Sequence, residues 1–182
     1  MTARRLLRTS PALAGMALAL VLSACGASND AKTGLALGEP VQLGDLQYTV
    51  LFSRFLNPYD VEDKGYLVGQ PLPKPDELYL GVFVQVANKS KTQRVPVPAG
   101  WSITDTEHNS YSPLPSRSPY ALPLGRSIGT EDQAPALDSI PQVGPIQGSM
   151  VLFVIPDAAT ENRPLQLNIP GPGGPAEVEL DI

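Results

Sequence analysis

The only histidine of the 182-residue chain, His108, stands close to Asp105, Glu107 and Ser110, so the residue types of a Ser-His-Asp relay occur within one short stretch. Such a relay needs a base oriented by a buried acid and a nucleophile facing an oxyanion hole. One hairpin turn supplies neither. No Gly-x-Ser-x-Gly elbow or Gly-rich phosphate loop occurs after residue 25. The expectation is a solvated turn histidine, no catalytic residue and no enzymatic activity. Two groups could offer hard oxygen ligands to calcium: Asp60, Glu62 and Asp63, and the alternating Asp105, Glu107 and Asn109. Neither completes a calcium loop, so both read as hydrated acidic loops, and no metal or cofactor is expected. One His and one Cys do not make a zinc or copper ligand set.

The lone Cys25 has a different chemistry. It ends the run Leu22-Ser23-Ala24-Cys25, behind a short apolar stretch that begins at Pro11 and follows Arg4, Arg5 and Arg8. That apolar stretch is shorter than the roughly 20 residues a membrane-spanning helix needs. A basic segment followed by a short apolar one is the pattern of an export signal. The run resembles the bacterial lipobox, and the resemblance implies a diacylglyceryl group on the Cys25 sulfur, cleavage before it, and Cys25 as the lipidated N-terminus. The protein is then expected to be held at the extracytoplasmic face of the cell membrane by its acyl chains, each buried CH₂ contributing about 0.8 kcal/mol. A single Cys also rules out an internal disulfide.

Loss of the three leader arginines leaves 10 basic residues against 18 acidic ones, a net charge of −8. Nucleic-acid affinity rests largely on Lys and Arg neutralising phosphates, so a nucleic-acid partner is not expected. Residues 25–182 are about one domain's length and can bury a sizeable core without disulfides or metals.

The positioning elements read as strands. Residues 1–24 are the expected lipoprotein signal peptide; 25–39, small and polar, are the expected flexible stalk. The domain is expected over 40–182. Between Leu46 and Ser53, Leu46, Tyr48, Val50 and Phe52 fall on one face and Gln47, Thr49 and Ser53 on the other, the pattern of a half-buried strand. Leu78 to Asn88 places Leu80, Val82, Val84 and Val86 on one face but Tyr79 and Phe83 on the other, so both sides should be covered.

Val95, Pro96, Val97 and Pro98 suit a sheet edge, because proline cannot donate to a ladder. Trp101 and Ile103 lead through Asp105–Asn109 to Tyr111 as a hairpin. Residues 149–155 are apolar on both faces, as in a central strand. Leu165, Leu167 and Ile169, then Val178, Leu180 and Ile182, alternate with polar residues on either side of a Gly171–Pro175 turn. Strands spaced by turns, with no sustained helical period, predict an all-β, antiparallel β-sandwich.

Two connections, Arg54–Glu77 and Pro113–Pro145, are long and rich in proline. Loops of this length are either packed coverings or recognition surfaces. Asn88-Lys89-Ser90 fits a glycosylation sequon but reads as the turn that ends a strand, and the Glu177, Glu179, Asp181 stripe reads as protection of an edge or exposed face.

The strand from Leu46 through Tyr48 to Val50, the Gly81–Asn88 strand, Asp105 followed six residues on by Tyr111, and Gly148 leading into Val151–Pro156 occur in an order that resembles the telokin-like, immunoglobulin-like domain of actinobacterial extracellular proteins and lipoproteins, the secreted mycobacterial immunoprotective antigen type. The chain departs from it by carrying His108 where glycine is common, and by its two long loops. The resemblance implies an immunoglobulin-like sandwich outside the cell and no catalytic residues. The function expected is non-catalytic binding of a protein or cell-envelope component, the alternative a calcium-stabilised or small-ligand-binding lipoprotein. Nothing in the residues specifies an oligomeric state.

Overall fold

The computed structural model describes residues 31–182; the expected signal peptide 1–24 and lipidation site Cys25 lie outside the described residues. Twelve strands follow in order: β1 Lys32–Leu35, β2 Pro40–Leu43, β3 Leu46–Leu56, β4 Glu77–Asn88, β5 Val95–Pro96, β6 Ser102–Thr104, β7 Ser110–Tyr111, β8 Ser127–Ile128, β9 Gln133–Ala134, β10 Ser149–Pro156, β11 Leu165–Ile169 and β12 Ala176–Leu180. The described helical pieces are single turns, Ile140–Val143 and the 3₁₀ turn Asp157–Thr160.

One sheet runs β1-β12-β11-β6-β7 and the other β10-β4-β3-β2, with β9 beside β4 where β10 has ended. They face each other as a β-sandwich. The inward residues of both fill a single core that includes Tyr48, Val82, Val84, Trp101, Phe153 and Leu167. Trp101 meets Tyr48 edge to face at 5.7 Å, and burial pushes the Tyr48 phenol up. Successive strands cross between the sheets from β4 to β6, from β7 to β10 and from β10 to β11, as in an immunoglobulin-like Greek key.

β4 is buried on both faces, as its sequence requires. Leu80, Val82, Val84 and Val86 enter the main core, while Tyr79 and Phe83 belong to a second cluster with Leu56, Tyr66, Leu67, Met150 and Leu152. That second cluster lies on the opposite side of the sheet and is roofed by the two long loops.

Three expectations need correction and a fourth is narrowed. The segment 25–39 is not a stalk from Lys32 onward, because β1 pairs with β12 and Lys32 N donates to Pro175 O at 2.8 Å. This pair is parallel, the exception in an otherwise antiparallel ladder set. Phe52 does not share a face with Val50: Val50 lies opposite Val84 and Phe52 opposite Phe83, so Leu51 is an extra residue, a β-bulge. Beyond it, Phe52, Arg54 and Leu56 face the loops. β10 is not central but ends its sheet, and its free edge is closed by backbone from 113–122, including Leu114 N to Leu152 O at 2.7 Å and Met150 N to Tyr120 O at 2.6 Å. Finally, β12, which carries Glu177 and Glu179, is flanked by β1 and β11, so of the two readings of this stripe the exposed face holds and the edge does not.

β5 pairs only with β8, in a ribbon apart from both sheets, which suits its prolines. Gly148, at φ +112°, enters β10 where a side chain would strike Leu51 and Phe83. Deleting Leu51 would remove the bulge but leave Val50 and Phe52 as consecutive residues on opposite faces, still opposite Val84 and Phe83, so Phe52, Arg54 and Leu56 stay on the loop side. A retained cooperative thermal transition, read by near-ultraviolet circular dichroism, is the expected outcome.

Candidate functional site

The first long loop is a chain of turns built by short polar side chains. Tyr59 N donates to Asn57 Oδ1 and Glu62 N to Asp60 Oδ1, each at 3.0 Å, and Tyr66 N donates to Asp63 O at 3.0 Å. Asp63 anchors it to the sheet. Its carboxylate, 4% exposed, accepts Asn57 N at 2.8 Å and pairs with the Arg54 guanidinium, which lies over the Tyr66 ring at 5.7 Å. The bulge at Leu51 is what aims Arg54 to this side.

The second long loop docks on the first. Gln70 Nε2 donates to Pro115 O at 2.7 Å and Ser118 Oγ to Gly65 O at 2.8 Å, while Tyr66 and Tyr120 pack with ring centroids 4.5 Å apart. Tyr66 also meets Phe83 edge to face at 5.4 Å. Both loops are therefore packed coverings. Burial, with Tyr120 close by, raises the Tyr66 phenol above its ordinary range even though Arg54 acts to lower it.

Their outward sides are unusual. Among the described residues, every exposed large hydrophobic lies in these two loops or at the strand end leading into the first: Phe55, Tyr59, Val61, Val68 and Leu72, then Leu137, Ile140 and Val143. Tyr59 is 76% exposed and Val61 78%, values that leave them almost unsupported by their own chain. Phe55 to Tyr59 and Pro73 to Tyr79 border a cleft of about 380 Å³. Proline at 58, 73 and 75 stiffens both banks. In the second loop, Pro141 is buried beneath the Ile140–Val143 turn, which holds Ile140 and Val143 outward. Sequence reasoning identified both loops but not these side chains. The signal was present, in apolar residues falling outside any strand alternation.

The other candidates are occupied in structural work. Asp105 is buried and its carboxylate accepts four hydrogen bonds: Glu107 N at 3.0 Å and Asn109 N at 2.9 Å on Oδ1, Asn109 Nδ2 at 2.9 Å and Tyr111 OH at 2.8 Å on Oδ2. Burial acts to raise its pKa, but the bonds from Asn109, Tyr111 and Glu107 together outweigh this and hold it at about 2. The Tyr111 phenol is pushed up to about 12 by burial and by its bond to Asp105. His108 is exposed at φ +64°, the left-handed conformation that glycine adopts freely, so the turn keeps the geometry a glycine would give it. The Asp105 carboxylate closes the turn on its own backbone and does not orient an imidazole.

The two acidic groups are likewise separated by their roles. Asp63 is tied to Arg54 while Asp60 and Glu62 are exposed, and among the described residues no three His, Cys, Asp or Glu side chains converge as a metal set. Asn88 is buried: its amide nitrogen donates to Gln93 O at 2.9 Å and Gly129 O at 2.7 Å, and its Oδ1 accepts Ser90 N at 2.9 Å. The sequon is a turn, with its asparagine out of reach of a glycan.

No family model matches the chain, and no curated protein matches it. Among solved structures, it is similar to the yjhA protein of Bacillus subtilis at 15% identity and a TM-score of 0.50, the match covering 81% of this chain and 100% of that one. It is also similar to an uncharacterised β-sandwich protein of Clostridium difficile 630 at 12% identity and a TM-score of 0.49, over 84% of this chain and 97% of that one. The first likeness, at this identity, establishes the fold as an all-β sandwich and carries nothing about activity.

Two outcomes follow from the buried carboxylates. Replacing Asp63 by Ala leaves Asn57 N and the Arg54 guanidinium without their partner and is expected to cost about 2 kcal/mol in urea unfolding, with Arg54→Met/Asp63→Leu recovering part of it. Asp105 has a folded-state pKa below its ordinary 3.8, so its contribution is complete above that pH and is lost as pH falls to about 2. The thermal midpoint of Asp105→Asn should accordingly be lower near neutrality and fall less steeply than wild type between pH 4 and 2.

Proposed function

We propose that the chain is a lipid-anchored, extracytoplasmic module that binds a protein or cell-envelope component through its two long loops and performs no catalysis. The observation that carries the binding half is the confinement of exposed large apolar side chains to those loops. A monomeric surface rarely leaves such residues grouped on one pair of connections, and grouped apolar exposure is the mark of an interaction surface. Tyr59 is well suited to such contact, since it offers a large apolar body with a polar tip and few torsions to freeze. Proline on both banks lowers the ordering cost of binding.

The anchoring half is supported by the Leu22–Cys25 motif behind a basic leader, and among the described residues no helix is long and apolar enough to cross a membrane. The resemblance to the telokin-like domain of actinobacterial lipoproteins supports the same placement. Asp105 is committed to its own turn and does not orient His108, which removes the Ser-His-Asp relay that the sequence allowed to be drawn.

Each half has its own test. Mass spectrometry of the protein from its native host should find residues 1–24 absent and Cys25 carrying a diacylglyceryl group; an intact, unmodified leader would remove the anchoring reading. For binding, chemical cross-linking in intact envelopes should give an adduct that Tyr59→Ser/Val61→Ser/Leu72→Ser reduces at least tenfold. That variant should melt at the wild-type temperature, because all three side chains are exposed. An adduct of unchanged yield would sink the loop assignment.

A further inference from the structure

Five arginines fall among the described residues, and three of them have partners within the chain. Arg54 pairs with Asp63, Arg94 donates from Nη2 to Ser127 O at 3.3 Å, and Arg163 donates from Nε to Thr160 O at 2.7 Å. Arg117 and Arg126 make neither an ion pair nor a side-chain hydrogen bond with any described residue, and both are exposed. These same two arginines line a single cleft of about 490 Å³.

The cleft arises from the way β10's edge is closed. The 113–122 segment meets that edge at Leu114, whose N–H bonds Leu152 O, and again at Leu122, whose N–H bonds Met150 O at 2.8 Å. Tyr120 O accepts Met150 N just before the second point, and between Leu114 and Tyr120 the chain makes no backbone bond to β10, leaving an opening floored by Met150 to Leu152. Leu114, Leu122 and Leu124 supply apolar wall, and no carboxylate lines it.

A guanidinium stays charged at any physiological pH, and its planar fork matches the two oxygens of a carboxylate or phosphate. In a processed chain of net charge −8, carboxylates are abundant, yet these two arginines line one acid-free cleft without a carboxylate partner among the described residues. The volume falls within the range of small-molecule pockets. We propose that this cleft binds a small anionic amphiphile, its oxyanion held between Arg117 and Arg126 and its apolar body laid against Leu114, Leu122 and Leu124. The cleft lies in the second long loop but shares no residue with Tyr59, Val61 and Leu72, so the arginine variants and the variant at those three positions test the two readings separately.

The test is calorimetric titration of the purified full chain with hexanoate, hexyl phosphate, 1-hexanol and inorganic phosphate. At least one of the two anionic amphiphiles should bind saturably at one site, and which one does identifies the oxyanion. Arg117→Gln/Arg126→Gln should weaken that binding at least tenfold without moving the thermal midpoint, while Arg117→Lys/Arg126→Lys, which keeps the charge but loses the fork, should fall between. Inorganic phosphate and hexanol should each bind more weakly than the amphiphile. The proposal is overturned by no saturable binding of either amphiphile, by unchanged affinity in the Gln variant, or by hexanol or inorganic phosphate binding as tightly.

Discussion

Because side chains alternate with period two along a strand, the extra residue Leu51 sends everything after it in β3 to the opposite face of its sheet. Before the bulge, β3 serves the sandwich core with Leu46, Tyr48 and Val50; after it, the same strand serves the loop-covered side with Phe52, Arg54 and Leu56. This slip makes the second apolar cluster possible. Phe52 stacks on Phe83 at 4.5 Å, and Arg54 arrives where Asp63 can hold the first loop down. Without a charged tie on that side, the loop would be held by Tyr66 and Leu67, by its bonds to the second loop and by the Tyr79 hydroxyl, which donates to Pro71 O.

Much of this was legible in the residues wherever a strand buries one face. The alternations at Leu46–Val50, Leu165–Ile169 and Val178–Leu180 are strict, and the structure keeps them. The failures have definite causes. A bulge between two buried faces leaves apolar residues on both sides of the slip, so Val50 and Phe52 look like neighbours on one face when they are not. Apolar composition at 149–155 reports burial rather than neighbours, and β10 is buried while standing at the end of its sheet. β1 was hidden because Lys32–Leu35 buries almost nothing and is held chiefly through its backbone, which leaves no hydrophobic signature.

The loops were visible as long proline-rich connections, but their internal logic was not. Arg54 and Asp63 are joined only through the bulge, and no periodicity links them. What the fold accomplishes with these loops is a division between two sides. Inward, Tyr66, Leu67 and Tyr120 complete a core that the sheet alone could not close; outward, Tyr59, Val61 and Leu72 are left without a cover. The β6–β7 turn shows the opposite economy, since its buried carboxylate, Asp105, is saturated by Glu107, Asn109 and Tyr111.

The parallel pairing of β1 with β12 has a mechanical consequence for a protein anchored as proposed. Only residues 26–31 separate Cys25 from Lys32, the first residue clamped to the sheet. Seven peptide steps at full stretch reach roughly 24 Å, whereas a body of this many residues is roughly 40 Å across. A leash shorter than the object it holds keeps the Pro175 end turned toward the headgroups and limits the sandwich to swivelling within a shallow cone above the bilayer.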